Sequence, residues 1–461
     1  MICFTFSTLV QFKMNITDVF VDNVYDFSRK VFFGGIICHA QKCLLDYLAA
    51  SLAGTREYYD VLTQFLTSTM SSGQTSSIIG LDRKSSTVFA ALLNGISAHA
   101  VELDDGQRFG NVHPGAPVIS SLLAVGETYG LSLNDLYKGI IVGYESTLRL
   151  ACSIQPGHKL KGFHATGPCG TIGATMGIAA MLGFSKDQIK SALSSACTSA
   201  SGILEMIEGD TQMMPFNAGK AASNAVVSAL AGLSGFKVPE DALGGKRGFL
   251  HCFADQVRFD LLTSFADSQY CTTNYFKPYA ACGHCHAGIE ASLKLREKEG
   301  FDVHDVERVD VQTYKLALNG HDHSLIQGVN SARMSIPFSV SVALTRGSAG
   351  IDDFGFDAIS DEELLKLASK VHVFENVELT KQAPSKRMAI VTVFTPNHTY
   401  TESVDYPKGQ PENPMTEDDI INKFYECGHF AGKLDSSLRQ SVDMVFNERN
   451  YSISDLMHCI S

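Results

Sequence analysis

Residues 171–183 read TIGATMGIAAMLG, a stretch in which small side chains recur between larger apolar ones. Small residues on a helix let a neighbouring helix approach closely, because the interaxial distance follows the size of the side chains at the contact. Residues 40–53, AQKCLLDYLAASLA, carry apolar positions three and four apart, the spacing of an amphipathic helix. Residues 192–204 have a similar character and predict a further helix. Together these stretches favour a large bundle of closely packed helices.

Two candidate helix starts lie in the same region. Ser132 with Asp135, and Ser185 with Gln188, have the three-residue spacing of a capping box, and an apolar run follows each pair. Residues 205–220 join a polar turn to a run of small residues, which is typical of a loop that connects helices. Strand-like alternation is scarce from about residue 30 to residue 235, so we expect an all-helical domain there.

The chain changes character after about residue 270. Residues 306–313, 388–394 and 398–405 are rich in β-forming residues and partly alternate. Residues 361–370 predict a helix among them, and a last amphipathic helix is expected to begin at Thr416. The sequence therefore predicts a mainly α fold with an inserted α+β domain.

The length of 461 residues also favours two domains, because single hydrophobic cores stop growing at about 250–300 residues. We expect residues 14–272 and 411–461 to form a large all-helical domain. Residues 273–410 are expected to form a smaller α+β lid domain.

The composition narrows the class of protein. A net charge of −12 excludes the basic footprint with which proteins bind nucleic acid. No apolar run approaches the roughly 20 residues of a membrane span, and residues 1–13 lack the basic start of a signal peptide. The 12 cysteines are scattered, which is typical of reduced thiols. We therefore expect a cytoplasmic protein with no nucleic-acid or membrane partner.

Residues 94–114, NGISAHAVELDDGQRFGNVHP, gather acids and histidines in one short segment. Neighbouring charges push pKa values apart, so such a set suits general acid–base catalysis. The same groups also suit a divalent metal ion, and a solvated acidic loop with a capping aspartate is a third interpretation. The candidate residues are His99, Glu102, Asp104, Asp105, Arg108 and His113.

Residues 159–170, KLKGFHATGPCG, place His164 between two lysines and a glycine-rich helix start. Backbone N–H groups at a helix N-terminus attract anions, and Lys159 and Lys161 add positive charge. The glycine spacing is not that of a dinucleotide site, because no strand precedes it. A structural histidine and an anion-binding histidine both remain open, and the lysines favour the second.

The segment KPYAACGHCH, which begins at Lys277, allows several interpretations. Cys282 and Cys285 have the spacing of a disulfide-exchange motif, and His286 extends it to the pattern that attaches haem. The surrounding sequence shows no thioredoxin-like βαβ pattern, and no export signal is expected. A zinc site made of these residues and His284 would need four ligands within five residues, which strains the backbone, so no metal site is expected.

Seven stretches carry a resemblance when they are taken in order. They are LLDYLAASLAG (44–54), NGISAHAVELDD (94–105), the His-Pro pair at 113–114, GFHATGPCGTIGA (162–174), FNAGKAA (216–222), KPYAACGHCHAGIE (277–290) and SARMSIPFSVSVAL (331–344). The series resembles the MmgE/PrpD family, which includes 2-methylcitrate dehydratase, cis-aconitate decarboxylase and iminodisuccinate epimerase. This resemblance implies a helical domain with an α+β lid, a homodimer, an active site in the interdomain cleft, and no metal or organic cofactor.

The resemblance also implies site residues. It places Glu102, Asp104 and His113 in the cleft and makes His164 the second active-site histidine. We expect His113 and His164 to form the acid–base pair, because a neutral imidazole serves as a base near pH 7. Asp104 is expected to orient or charge a histidine.

Positive charge is needed where negative charge develops on a substrate. The resemblance makes Lys277, which opens the Lys-Pro-Tyr loop, one such cation, and we expect Arg333 to be a second carboxylate clamp. The other expected substrate contacts are Glu102, Lys161, Gln212, Tyr279 and Cys282.

The chain departs from the cis-aconitate decarboxylases at three positions. Met214 stands in place of a lysine, Cys282 in place of a histidine and Phe338 in place of a tyrosine. The loss of a cation and two polar groups favours a substrate with fewer carboxylates, or another reaction on the same scaffold. The expected function is a cofactor-independent lyase, foremost a hydro-lyase of the 2-methylcitrate dehydratase type, that acts on a small di- or tricarboxylate.

Two alternatives accompany this expectation. An iminodisuccinate-type epimerase or a cis-aconitate-type decarboxylase would use the same scaffold and the same acid–base residues. A thiol-redox or haem-binding protein that uses Cys282, Cys285 and His286 belongs to a different class.

Overall fold

The computed structural model describes residues 15–68, 73–207, 211–265, 269–447 and 449–461. Over these ranges the chain is mainly helical and carries two small sheets, which agrees with the expected mainly α fold with an α+β part. The opening segment, residues 1–13, and the expected domain start at residue 14 lie outside the described residues. None of the described helices combines the length and the apolar character needed to cross a membrane.

The helices fall into three groups along the chain. Those before residue 273 are α1 (Ile16–Ser28), α2 (Gly35–Glu57), α3 (Tyr59–Ser68), α4 (Thr87–His99), α5 (Gly115–Tyr129), α6 (Leu133–Ile154), α7 (Gly157–Leu160), α8 (Pro168–Met181), α9 (Lys186–Ser199), α10 (Met213–Leu233), α11 (Phe249–Phe253) and α12 (Asp260–Thr263). The central group is α13 (His286–Arg296), α14 (Lys315–Leu318), α15 (Val329–Met334), α16 (Ile336–Arg346), α17 (Phe356–Ile359), α18 (Glu362–Ala368) and α19 (Val377–Gln382). The last group is α20 (Glu417–Phe430), α21 (Asp435–Phe446) and α22 (Ile453–Ile460).

Helix α8 contains most of the stretch TIGATMGIAAMLG and packs against α6, α9 and α10. Gly173 lies so close to α6 that a Cβ added there would be 1.8 Å from the hydroxyl oxygen of Thr147. A Cβ added at Gly177 would be 2.8 Å from the carbonyl oxygen of Gly139. The small residues of this stretch therefore bring two helices close to backbone contact, as their spacing predicts.

The expected capping boxes are both present. Ser132 caps α6 and Ser185 caps α9. In each case the side chain of the residue three positions later accepts a hydrogen bond from the backbone N–H of the serine. The helix expected over 192–204 was wrong at both ends, because α9 begins at Lys186 and ends at Ser199. The chain is extended at Ala200, with ψ 126°.

The segment that follows α9 is not α-helical, because its backbone forms hydrogen bonds with the loop before α8. The N–H of Leu204 donates to the carbonyl of Gly162, and the N–H of His164 donates to the carbonyl of Gly202. This pairing fixes the backbone of His164, which sequence periodicity did not reveal.

The six strands of the described residues form two sheets. They are β1 (Ser76–Ile78), β2 (Leu81–Ser85), β3 (Arg308–Thr313), β4 (Val371–Glu375), β5 (Ala389–Phe394) and β6 (Thr399–Val404). The larger sheet has the order β4-β3-β5-β6, in which only the β3–β4 pair is parallel. Helix α13 packs against β5 and β6, and α16 packs against α13.

Three strands of this sheet confirm the predicted β segments, whereas the sequence did not predict β4. Its five residues, VHVFE, follow α18 directly and bury only Val371, so no alternating pattern marks them as a strand. The sequence also did not predict the antiparallel hairpin of β1 and β2, so the first part of the chain is not purely helical. The side chain of Asn94, in α4, pairs with two backbone groups of this hairpin: it accepts from the N–H of Ile79 and donates to the carbonyl of Ser77.

Helix α20 returns to the first group of helices and packs against α2. The buried ammonium of Lys423 donates to the Asp46 carboxylate at 2.6 Å and to the Leu103 carbonyl at 2.6 Å. This contact joins the last helices to α2 and to the acidic segment 94–114. Such a contact is expected if residues before 273 and after 410 form one helical domain. The bounds of that domain stay a prediction.

Replacing Lys423 with methionine should lower the free energy of unfolding by about 3–5 kcal/mol, because Asp46 then stays buried without its partner. The measurement is urea unfolding followed by circular dichroism. The matched control is Lys408→Met, which removes a partly exposed pair with Asp419 and should cost at most about 1 kcal/mol. Equal losses in both variants would mean that the buried pair has no special role.

Candidate active site

A cleft of about 680 Å³ is lined by residues from both the first helices and the α+β part. Its floor comes from the acidic segment and from the loop before α8. Its roof comes from the loop before α13 and from residues 321–387. The polar and sulfur-bearing residues of its wall are Glu102, Gln107, Asn111, His113, Gln155, Lys159, His164, Met214, Tyr275, Cys282, His284, His321, Met334 and Arg387.

Glu102 holds an unusual backbone conformation at the edge of this cleft. Its φ of 55° lies in the left-handed region, which costs a non-glycine residue on the order of 1 kcal/mol or more. Its carboxylate lies 2.7 Å from the Nζ of Lys277, which is completely buried. Lys277 lowers the pKa of Glu102 despite its burial. We infer that this ion pair holds the acidic segment in its strained conformation.

Asp104 lies between two imidazoles. Its Oδ2 is 2.7 Å from Nδ1 of His99 and 3.4 Å from Nδ1 of His113. Burial alone would raise the pKa of Asp104, but the two imidazoles and Lys277 lower it far below its usual range. Burial also lowers the pKa of His99, and Asp104 and Glu102 raise it by more. Asp104 is therefore ionised and favours the charged form of His99.

The hydrogen bonds of His113 fix its tautomer. Its Nδ1 lies 2.7 Å from the backbone carbonyl oxygen of Asp105, and a carbonyl can only accept, so Nδ1 carries the hydrogen. In the neutral ring the lone pair is then on Nε2. Burial lowers the pKa of His113 to about 4, although Asp104 opposes this. His113 is thus a neutral base at pH 7.

His164 has the opposite tautomer. Its Nδ1 accepts a hydrogen bond from the side-chain amide of Asn217 at 3.2 Å, so the hydrogen of the neutral ring is on Nε2. Burial, together with the neighbouring imidazoles of His99 and His113, holds the pKa of His164 well below its usual range. The cleft is therefore lined by two neutral imidazoles, of which His113 has its lone pair and His164 its hydrogen on Nε2.

Neither of the two expected clamps is free to hold a substrate. Lys277 is paired with Glu102 and lies 3.8 Å from Asp104. Arg333 is fully buried and forms two hydrogen bonds with the carboxylate of Glu57, at 2.6 and 2.8 Å, and it does not line the cleft. Both positive charges are already neutralised by carboxylates of the protein.

Three other expected contacts lie outside the cleft wall. Lys161 is exposed and forms an ion pair with Asp255. Gln212 is exposed just before α10. Tyr279 packs edge-on against His286, with 5.3 Å between the ring centroids. Of the substrate contacts expected from the sequence, Glu102 and Cys282 line the cleft.

Two cations line the cleft that were not among the expected substrate contacts, although the sequence had already indicated Lys159 as a positive charge beside His164. Arg387 is buried, and its guanidinium lies 3.4 Å from the hydroxyl of Tyr275. Lys159 is half-buried and projects from the short helix α7. Among the described residues neither one forms an ion pair. Lys159 carried a signal, since it is two residues from Lys161, whereas Arg387 gave none because it precedes an ordinary strand.

The three departures from the decarboxylases lie in different surroundings. Met214 and Cys282 line the cleft, so they alter its polarity directly. Phe338 is fully buried and packs against Phe354, with 6.2 Å between the ring centroids. Its effect on the cleft is therefore indirect.

The structure speaks against the haem and disulfide-exchange interpretations. Cys285 and His286 are buried, and the imidazole of His286 donates from Nε2 to the carbonyl of Ala281 at 3.0 Å. Burial lowers the pKa of His286 to about 3. Haem attachment needs both thiols and the imidazole at one accessible surface, and only Cys282 of the three faces the cleft.

Comparison with known proteins defines the class. Residues 35–262 match the MmgE/PrpD N-terminal domain, and residues 279–444 match the MmgE/PrpD C-terminal domain. The chain belongs to the MmgE/PrpD family.

Several curated relatives are similar over nearly their whole length. A cis-aconitate decarboxylase-like protein, oryM, of Aspergillus oryzae is 25% identical over 92% of this chain and 93% of its own. The cis-aconitate decarboxylase of Aspergillus terreus is 24% identical over 92% of each chain. That of Mus musculus is 24% identical over 89% of this chain and 86% of its own.

Nitrogen-15 spectra of the imidazole rings should show both tautomers directly. We expect His113 to stay neutral with its hydrogen on Nδ1 at pH 5, and to become protonated only as the pH falls through about 4. His164 should be neutral with its hydrogen on Nε2. The variants His113→Gln and His164→Gln assign the signals. Titration of His113 near pH 6.5 would contradict this electrostatic description.

Proposed function

We propose that this protein is a lyase that acts on a small di- or tricarboxylate, foremost a hydro-lyase. The observation that carries the proposal is the pair of complementary imidazoles, His113 and His164, in a cleft that also contains two cations, Arg387 and Lys159, for which the described residues supply no carboxylate partner. The MmgE/PrpD membership supports it, and so do the curated relatives, which are named as decarboxylases.

The first step uses His113. Its Nε2 lone pair takes a proton from the carbon next to a substrate carboxylate, and the electron pair moves into the carboxylate oxygens. Arg387 and Lys159 stabilise the charge that develops there, since preorganised cations act most strongly in a site from which water is excluded. These two residues take the place of the clamps that we expected at Lys277 and Arg333.

The second step uses His164. Once the bound carboxylate has favoured its imidazolium form, His164 passes its Nε2 proton to the hydroxyl group on the neighbouring carbon, the carbon–oxygen bond breaks, and water leaves as the double bond forms. In that form Nδ1 also carries a hydrogen, which the buried side-chain oxygen of Asn217, without a partner among the described residues, can accept. The pKa values of both rings are lowered while the cleft holds no substrate, so both rings are then neutral. The negative charge of a bound carboxylate would raise these pKa values towards pH 7.

Decarboxylation is the second candidate, and it is favoured by the relatives, which are named as decarboxylases or as decarboxylase-like. In that reaction carbon dioxide leaves and a histidine returns a proton to carbon. Met214 and Cys282 favour the hydro-lyase instead, because both replace groups that would add positive charge or polarity at the cleft wall. An epimerase would need the same two histidines and no leaving group.

Proton NMR in deuterated water with a panel of citrate-like, aconitate-like and aspartate-derived acids separates these reactions. A hydro-lyase gives a new olefinic signal, a decarboxylase gives a product one carbon shorter, and an epimerase gives exchange without net conversion. No change with any acid in the panel would count against the lyase proposal.

Variants of the cleft then test the assignments on whichever acid reacts. His113→Gln and His164→Gln should each lower kcat by about 100- to 10,000-fold, the usual contribution of general acid–base catalysis. Lys159→Ala should lower kcat/KM by about tenfold or more, as expected for a charged hydrogen bond. Lys161→Ala is the matched control two residues away, and it should retain the activity because its side chain lies outside the cleft. Equal effects of the two lysine variants would contradict the clamp.

A homodimer is part of the proposal as well. Helix α10 exposes an apolar stripe, since Phe216, Val227, Leu230 and Leu233 are solvent-exposed and their spacings of eleven, three and three residues place them on one side of the helix. Exposed apolar patches of this kind mark contact surfaces. A second copy of the chain that uses the same stripe would cover it symmetrically.

Replacing Leu230 with aspartate should therefore convert a dimer to a monomer, which light scattering after size-exclusion chromatography would measure. Leu434→Asp, at an exposed apolar residue before α21, is the control and should leave the mass unchanged. A monomeric wild-type protein would overturn the dimer.

A further inference from the structure

The side chain of Asp105 ties the acidic segment to two other parts of the chain. Its Oδ1 accepts a hydrogen bond from the backbone N–H of Gly115, the first residue of α5, at 3.1 Å. Its Oδ2 accepts one from the side-chain amide of Asn274 at 2.8 Å. Asp105 is buried, so both bonds lie away from bulk water. The backbone of Asp105 is therefore held from two directions.

Asn274, one of these anchors, is itself held in place. Its Oδ1 lies 2.6 Å from Nε2 of His39 in α2, and an amide oxygen can only accept, so Nε2 carries the hydrogen. The next residue, Tyr275, exchanges two backbone hydrogen bonds with Gly106, at 3.0 and 2.7 Å. Asp105 is thus anchored to a part of the chain that α2 and a backbone bridge both fix.

The main-chain carbonyl of Asp105 faces His113. Two acceptors lie near Nδ1 of His113, namely this carbonyl oxygen at 2.7 Å and the Asp104 carboxylate at 3.4 Å. The nearer one takes the hydrogen bond. The Asp104 carboxylate lies 2.7 Å from Nδ1 of His99 instead. His113 therefore has a neutral acceptor, and His99 has the charged one.

The choice of acceptor influences the charge of each ring, because a carboxylate stabilises an imidazolium far more than a carbonyl does. Burial lowers the pKa of His99, but Asp104 raises it by more. In His113 burial prevails and lowers the pKa to about 4, although Asp104 opposes this. A shorter contact with Asp104 would favour the charged form of His113, which cannot act as a base. The neighbouring groups that act on the pKa of His113 are Asp104, Lys277, His99 and Glu102.

We propose that Asp105 is a positioning residue for the base of this site. Its side chain holds its own carbonyl against His113, which keeps that ring on a neutral acceptor and leaves the Asp104 carboxylate to His99. Asp105 does not line the cleft, so its role rests on the proposed role of His113 as the base.

The charge of Asp105 fits this role. Burial and the nearby carboxylates of Asp46 and Asp104 raise the pKa of Asp105 to about 8, although the N–H of Gly115 opposes this. The side chain is therefore mainly uncharged at pH 7. It can hold the carbonyl in place without adding a negative charge beside His113.

Asparagine should be able to replace Asp105, because it has the same shape and no charge. Its amide oxygen can accept from the N–H of Gly115, as the Asp105 carboxyl does. Its amide nitrogen would face Asn274, whose own amide can turn over to accept from it. Burial lowers the pKa of His39, so that ring is neutral and can exchange its tautomer to accept from the turned amide.

Nitrogen-15 spectra of His113 provide a test that needs no turnover. In Asp105→Ala the carbonyl loses both anchors, so the Nδ1 hydrogen should turn to Asp104. The pKa of His113 should then rise from about 4 towards the usual value for histidine, about 6.5. Asp105→Asn should keep the wild-type titration. A titration of His113 in Asp105→Ala that matches the wild type would overturn the proposal.

Glu127→Ala is the matched control for the loss of a buried carboxylate. Glu127 lies near the end of α5, and its carboxylate accepts from the backbone N–H of Ser77 at 2.6 Å. This variant should lower the free energy of unfolding, as Asp105→Ala does, but leave the titration of His113 unchanged. An equal rise of the pKa of His113 in both variants would indicate a general loss of structure and contradict a positioning role.

Asn274→Ala removes one anchor without changing the acidic segment itself. It should raise the pKa of His113 in the same direction as Asp105→Ala and by a smaller amount, because the bond to Gly115 remains. Circular dichroism shows whether each variant is folded. An unchanged titration in Asn274→Ala would count against the proposal even if Asp105→Ala does not fold.

Turnover on whichever acid reacts gives a separate readout. Asp105→Ala should lower kcat by about 10- to 100-fold, the effect of a misplaced catalytic group. It should leave KM nearly unchanged, because Asp105 lies outside the cleft, and Asp105→Asn should recover most of the activity. A similar loss of kcat in both Asp105 variants would contradict the positioning role. If no acid reacts, the lyase proposal fails, while the titration of His113 still decides the role of Asp105.

Discussion

The buried ammonium of Lys277 is the charge on which the rest of the site depends. It is completely buried, and a buried charge without a partner would cost several kcal/mol. The Glu102 carboxylate at 2.7 Å balances it, and Glu102 itself holds a left-handed backbone conformation. Asp104 lies 3.8 Å from the same ammonium, and the imidazoles of His99 and His113, with Lys277, lower its pKa against its burial. One ion pair therefore lies beside both the strained backbone and the carboxylate that contacts the candidate acid–base groups.

The same pairing decides which cations remain for a substrate. Lys277 and Arg333 are neutralised by Glu102 and Glu57, and each lies behind the cleft wall. Arg387 and Lys159 have no such partner among the described residues, and they face the space that an anion would occupy. A chain with a net charge of −12 thus concentrates positive potential at one place, which suits a carboxylate ligand.

Single hydrogen bonds to main-chain and amide groups give the histidines distinct roles. A carbonyl behind His113 leaves a lone pair towards the cleft, whereas the Asn217 amide behind His164 leaves a hydrogen there. Identical side chains thus present a lone pair or an N–H to the cleft according to the one group that lies behind each ring.

The sequence by itself determined the helical part, the candidate histidines and the family resemblance. Helix periodicity, capping boxes and small residues such as Gly173 act through local geometry, so they can be read from short stretches of the chain. Only the tertiary structure decided that Arg333 is neutralised by Glu57, 276 positions away, and that Arg387 has no ion-pair partner among the described residues. It alone also brought His321 to Cys282, since the contact depends on two loops that no periodicity connects. Helix propensity depends on residues that are neighbours in sequence. The protonation of a buried group depends on the charged and polar groups that the fold brings next to it, which can come from any part of the chain.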